Sequence, residues 1–369
     1  MDLLKLVREI DSAPDDLASE RIARSRSRLL LGVMDQPKRR ARRRWILGGT
    51  AAAGSLSAAA IITTVVIAGT VAPVVSQPAS AAAVAVLNEA ADVAITGVDP
   101  AVGSGQYLHV RETFELIALW DGDEGDRSDP IAGFNTSRLP ASEGAIHTRG
   151  IRDLYVPSDR SGSWILDDRS ENEVLDVWGD PQALEAYERL TDAYPERDAD
   201  PAGIELLPAG LQSWDPDMTE DDQYWDPLRP FYDQMPREPE QLLAWYRQQF
   251  SSTSTDDWYM FQAIGRYIST DVMPADLRAA SLRVLGYLQA VDVTGTTGTI
   301  TTVAMTTPLS EGGEFGDLLV SELDIDTSTG RIVGIRESYP HRATDLLPAG
   351  VPWASWKIEV TVVDEAPTP

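Results

Sequence analysis

The side chains of this sequence best suited to proton transfer or metal ligation near neutral pH are three histidines, His109, His147 and His341. His109 and His147 fall on or beside predicted strands, and neither has a metal-ligating residue two or four positions on. There is no His-Glu-x-x-His, no Gly-x-Ser-x-Gly elbow and no glycine-rich phosphate loop following a strand. The chain has no cysteine, which excludes thiolate catalysis, disulfides and Cys-based zinc sites. The run Asp324-Ile325-Asp326-Thr327-Ser328-Thr329-Gly330 begins like a calcium loop. That loop needs glycine at position 6 and a bidentate glutamate at position 12, where this chain has Thr329 and Ile335, so a hairpin turn is expected instead. Acid clusters at 121–126 and 215–226 read as solvated loops. The expectation is a protein that is not an enzyme, needs no cofactor and folds without metal.

Aromatic residues are the next chemistry-bearing set. Trp120, Trp164, Trp258 and Trp356 fit core faces of predicted elements, whereas Trp178, Trp214 and Trp225 sit in acid-rich, irregular sequence. These three either pin a long loop onto a sheet or line a groove.

The elements that would position such groups are divided by one stretch. Lys38, Arg39, Arg40, Arg42, Arg43 and Arg44 form a basic run, and residues 45–70 then carry no charge. A membrane-crossing helix needs about 20 apolar residues. The basic side stays in the cytoplasm by the positive-inside rule. The sequence therefore predicts a single-pass cell-membrane protein with a cytoplasmic N-terminus and an extracytoplasmic C-terminal domain. Its six basic residues and Trp45 would be the membrane-anchoring contacts with lipid. The competing reading is a cleaved signal, with Arg42-Arg43-Arg44-Trp45 as a twin-arginine motif and Ala79-Ser80-Ala81 as a small-residue cleavage site. The first 44 residues hold 12 Lys and Arg against 7 Asp and Glu, and the rest hold 19 against 51, within a total net charge of −27. So acidic a C-terminal part repels nucleic acid.

Periodicity gives the remaining organisation. Residues 1–44 read as short cytoplasmic helices. One stripe is Leu3, Leu6, Val7 and Ile10, and a second includes Ile22, Leu29, Leu30 and Val33. Leu29 and Leu30 are the candidate contact with a cytoplasmic protein partner. Residues 71–105 read as a stalk and a first helix at 81–95, and 106–369 as an extracytoplasmic domain. Within that domain, 107–120 alternates as a strand and 151–167 as a hairpin. Helices are expected at 181–193, 239–250, 256–269 and 274–289, and strands at 291–296, 299–305, 318–325, 331–339 and 356–363. The fold class expected is α+β: short cytoplasmic helices, one transmembrane helix, and an extracytoplasmic domain with an antiparallel sheet and a helical block.

Several motifs carry a resemblance. They are Arg28-Leu29-Leu30, the basic run, the helix at 81–95, Gly105-Gln106-Tyr107-Leu108-His109-Val110, Val156-Pro157-Ser158-Asp159-Arg160-Ser161-Gly162 and Asp326-Thr327-Ser328-Thr329-Gly330-Arg331. With them the chain resembles a family of actinobacterial single-pass membrane proteins that look like membrane-bound anti-sigma regulators in layout. The resemblance implies a sensor or regulatory role, a sigma-factor-like partner for the N-terminal segment and an unidentified ligand for the acidic domain. The alternative is a surface-tethered binding or structural module with no cytoplasmic partner. Helix plus curved antiparallel sheet is also similar to lipoprotein-carrier and sigma-regulator sensor folds.

Overall fold

The computed structural model describes residues 78–97, 99–122, 134–135, 142–169, 172–193, 203–208, 232–250, 256–308, 318–339, 346–348 and 350–368. The chain divides into two units, 1–75 and 76–369, and all that follows concerns the second. The expected anchors Lys38, Arg39, Arg40, Arg42, Arg43, Arg44 and Trp45, the span 45–70, and Leu29 and Leu30 lie outside the described residues. So do Trp214, Trp225 and His341.

The second unit is organised around one eleven-stranded antiparallel sheet. In chain order its strands are β1 (Tyr107–Trp120), β2 (Phe134–Asn135), β3 (Gly144–Pro157), β4 (Ser163–Asp167), β5 (Glu173–Gly179), β6 (Ile204–Pro208), β7 (Val291–Thr297), β8 (Ile300–Pro308), β9 (Leu318–Asp326), β10 (Arg331–Ser338) and β11 (Ala354–Val363). They lie in the order β6-β4-β3-β1-β11-β10-β9-β8-β7, with β2 added to β1 and β5 to β3. The two longest strands, β1 and β3, pair along their whole length from Tyr107↔Pro157 to Trp120↔Gly144. β1 also pairs with β11, from Tyr107↔Val363 to Leu116↔Ala354. This contact joins the first strands to the β7–β11 meander in one sheet.

Five helices are described: α1 (Ala81–Thr96), α2 (Gln182–Ala193), α3 (Pro239–Gln249), α4 (Asp257–Ser269) and α5 (Ala275–Leu285). Ser80 starts α1 as a serine N-cap, accepting a bond from the Ala83 N–H (3.1 Å) while its hydroxyl donates to Asp292 on β7 (2.6 Å). Pro239 opens α3 at a position where its missing N–H costs nothing. Ala83, Leu87, Ala90, Ala91 and Ala94 give α1 a buried stripe of mostly small residues that lets it lie against α5. The buried residues of α1, α3, α4 and α5 share a core with Leu108 and Val110 of β1 and Leu154 and Val156 of β3. Those of α2 meet Trp120 and Ile146 further along the same side. All five helices thus cover one face of the sheet, and every second residue of β1 and β3 points to the other face.

Three expectations are corrected by this architecture. The predicted layout of cytoplasmic helices, one transmembrane helix and an extracytoplasmic sheet with a helical block gives way to one large antiparallel sheet with helices from before and after its first strands on a common face. Among the described residues no helix is long and apolar enough to cross a membrane. The longest, α1, has 16 residues. At about 1.5 Å per residue it falls short of the hydrocarbon thickness, and its apolar stripe is used on α5. The single-pass membrane location, with its cytoplasmic and extracytoplasmic assignments, is therefore not carried forward.

Two polar clusters, the first centred on a buried arginine and the second partly buried, tie the helices to the sheet. In the first, Arg278 of α5 is 2% exposed and its guanidinium donates to Asp271 (2.8 Å) and Asp99 (2.6 Å). Arg331, at the start of β10, places Nε 2.9 Å from the second Asp271 oxygen, near enough for charge attraction but not aligned for a hydrogen bond. In the second, Gln262 of α4 donates to Ser321 (3.1 Å) and to Glu337 (3.0 Å), while Arg266 lies 3.7 Å over the Trp356 ring and donates to Glu112 (2.8 Å).

Glu337 keeps part of its surface exposed, yet it is densely surrounded, and this desolvation pushes its carboxyl above the usual range despite the opposing pull of Arg266. A carboxyl raised on folding contributes stability fully present below its unfolded pKa and lost as pH rises through the folded value. Glu337→Gln removes that loss while keeping the shape. Urea unfolding is expected to show the variant more stable than wild type at pH 7, with the gap closing toward pH 4. A variant less stable at both pH values would show that the ionised carboxylate is needed where it stands.

Candidate functional site

The face of the sheet opposite the helices carries a ladder of polar side chains along β1 and β3. Successive cross-strand pairs there are His109↔Tyr155, Arg111↔Asp153, Thr113↔Ile151, Glu115↔Arg149 and Ile117↔His147. Antiparallel pairing with side-chain period two puts all ten residues on this side.

Two units of similar make-up occupy the ladder. In the first, His109 Nε2 lies 2.7 Å from Asp153 Oδ1, and Arg111 donates to both Asp153 oxygens (2.8 and 2.9 Å). The His109 ring stacks on Tyr155 with centroids 4.6 Å apart and planes 12° apart. In the second, Arg149 donates twice to Glu115 Oε1 (3.0 and 2.7 Å) and the other Glu115 oxygen is 3.3 Å from His147 Nε2. The His147 ring stacks on Trp178 of β5 at 5.5 Å. Each carboxylate is thus shared between an arginine and a histidine, and each histidine lies on an aromatic ring.

Beyond Asp153 the row continues onto β4. Asp153 pairs directly with Asp167, and Arg169 donates to both Asp167 oxygens (2.8 and 2.6 Å). The Arg169 bonds hold the Asp167 carboxyl below the usual range. Burial, with the Asp153 and Asp167 carboxylates next, raises the Tyr155 hydroxyl above its usual value. Arg111, Ile151, Asp153, Asp167 and Arg169 line a shallow, open depression of about 440 Å³. At the other end the ladder runs into a small apolar cluster, where Trp353 and Ala354 meet Ile117, Leu119 and Ala145.

Three chemistries can be tested against this geometry. The first is nucleophilic catalysis: Thr361 Oγ1 lies 3.4 Å from His109 Nδ1, so Thr361, His109 and Asp153 follow the order nucleophile, base and orienting acid. Arg111 already holds both oxygens of that acid. All five described helices lie on the opposite face, so none aims its N-terminal N–H groups at Thr361. The second is metal binding: Glu115 and Asp176 approach opposite ring nitrogens of His147, at 3.3 and 3.9 Å, and so cannot close on one ion with it. Among the described residues no group of three or more His, Cys, Asp or Glu could hold a metal. The third is recognition by preformed donors and acceptors, which the arrangement can supply at every rung.

Sequence reading named His109, His147 and Trp178, but none of the charged partners Arg111, Asp153, Glu115 and Arg149. The structure places Trp178 on β5 over His147, partly buried against the small apolar cluster. The run from Asp324 ends β9 and makes the β9–β10 turn at 327–330, where Asp326 accepts bonds from the Ser328 N–H and hydroxyl (3.0 and 2.7 Å); Asp324, still on β9, pairs with Arg336. Comparisons with protein-family models, with curated proteins and with solved structures gave no match for this chain.

Proposed function

We propose that this chain is a non-enzymatic binding protein with a sensor or regulatory role, in which residues 76–369 recognise a ligand through the open face along β1 and β3. The observation that carries this reading is the ladder from His109 to His147. Its acids and bases are already paired, its aromatic rings are already stacked, its arginines stand partly exposed, and one end of it borders a shallow, open depression. Pre-paired groups lose little freedom when a ligand arrives, which favours recognition. Residues 1–44 would supply the regulatory half, with Leu29 and Leu30 anchoring a helix-in-groove contact to a sigma-factor-like protein. Without such a partner, the chain is a binding or structural module alone.

The test uses the full chain in a thermal-shift screen against polysaccharides, peptides and nucleotides, since a ligand that binds the folded state raises its melting point. Hits on the wild type are expected to fade in the charge-neutral variant Glu115→Gln/Arg149→Gln and to persist in Glu337→Gln. Hits that survive the face variant, or a probe that is consumed during the assay, would end this reading.

A further inference from the structure

The depression beside Tyr155 has a composition that selects a class of ligand. Asp153 and Asp167 are direct cross-strand partners, and like charges so placed destabilise an antiparallel pair. The protein keeps both by clamping each with its own arginine, so that the row Arg169, Asp167, Asp153, Arg111 has no net charge. The arginines stand further out than the aspartates, at 45% side-chain exposure each against 12% and 14%, but each is already neutralised by its aspartate, so neither an anion nor a cation meets an uncompensated charge. An apolar ligand would strip water from four charges and return no hydrogen bonds. A neutral, hydroxyl-rich ligand needs no uncompensated charge and returns hydrogen bonds.

Each arginine has five N–H donors and uses two on its aspartate, through Nε and Nη2. Those remaining can donate to ligand hydroxyl oxygens, and carboxylate lone pairs not taken by arginine or by His109 can accept ligand O–H groups. Ile151 gives the depression an apolar patch. The Tyr155 ring is held in place by its stack on His109, and it stands two residues along β3 from Asp153 on the same face of the sheet. A rigid aromatic ring beside fixed donors and acceptors suits a ring that has C–H groups on its faces and hydroxyls at its rim. We propose that Tyr155 and the Arg169–Asp167–Asp153–Arg111 row form a binding site for a sugar unit of a neutral glycan. This inference rests on the open face being the ligand face and adds the chemical class of the ligand.

The experiment is affinity electrophoresis of the full chain through gels containing soluble α-glucan, mannan or arabinogalactan, with a sulfated polysaccharide and polylysine as charged probes and titration calorimetry on any positive. At least one neutral glycan should retard the wild type. Asp167→Asn and Tyr155→Ala should each weaken binding about tenfold, as expected for loss of a hydrogen bond to a charged group or of a stacking surface. Tyr287→Ala, an exposed tyrosine just after α5, should leave binding unchanged, and melting curves should show that all three variants are folded. Binding of no neutral glycan, or neutral binding that survives both depression variants, overturns the proposal. If only a charged probe binds and Glu115→Gln/Arg149→Gln abolishes it, the face reading stands and the glycan assignment falls. If binding of every probe ignores both sets of variants, both readings fall.

Discussion

Arg278→Met is expected to lower the unfolding free energy by about 3–5 kcal/mol, the cost of breaking a buried ion pair by removing one partner. The residue is 2% exposed and holds Asp271 and Asp99, which come from the α4–α5 link and from the segment after α1. With it gone, Asp271 keeps only the poorly aligned approach of Arg331. Burial already pushes the Asp271 carboxyl above its usual range against the pull of both guanidinium groups, so the variant leaves that desolvation with less to offset it. Asp271 also has φ of 54°, a left-handed conformation that a non-glycine residue keeps only when its surroundings hold it there. The double variant Arg278→Met/Asp271→Asn should recover part of the loss, because replacing both partners removes the uncompensated charge. Urea unfolding followed by tryptophan fluorescence reads both effects. A single variant within about 1 kcal/mol of wild type, the size of an exposed pair, would show the cluster to be solvated.

Alternation over 107–120 predicts β1, and its apolar set, Leu108 and Val110, does face the helices. Periodicity likewise locates α1, α3 and α4 and the β7–β11 meander. It misses β5 and β6, where no run of alternating apolar residues is long enough to stand out. It also carries α5 past its end: the apolar spacing continues through Leu288, yet the helix stops at Leu285. There tertiary contacts override propensity. Gln289 donates its N–H to Asp257 (2.8 Å) and forms a bridge with Pro78, while Ala290 takes φ of 58°. The membrane expectation rested on the uncharged length of 45–70, which lies outside the described residues.

The site was legible only in half. His147, Arg149, Ile151, Asp153 and Tyr155 recur at every second position, so one strand could be seen to present them together. A search for partners at two and four residues' distance fails, because the pairing runs across strands. His109 and Asp153 are 44 residues apart in the chain. Their contact depends on the register between β1 and β3, and a one-residue slip of β3 would send its five members of the ladder to the helix side and leave those of β1 without partners. Local sequence does not state that register.

Gly330 shows a motif whose meaning changed with the structure. In sequence it closes a run spaced like a calcium loop; in the fold it closes the β9–β10 turn with φ of +67° and touches α1. A Cβ at this position would stand 2.4 Å from the Ala90 carbonyl oxygen and 2.8 Å from the Ala94 Cβ, both part of the packed helix. Gly330→Ala therefore adds a left-handed penalty of about 1–2 kcal/mol to an overpacking cost of about 1–3 kcal/mol. Gly298, in the β7–β8 turn, has a similar φ of +61°, and a Cβ there would meet nothing within 4 Å. Gly298→Ala should show the conformational penalty alone, so the difference between the two variants measures how firmly α1 sits on the hairpin. Gly330→Ala is expected to be the more destabilising by at least about 1 kcal/mol in urea, with faster hydrogen exchange along α1. Equal losses in the two variants, with α1 exchange unchanged, would mean that the helix yields to the added methyl at no cost and that the hairpin does not hold it.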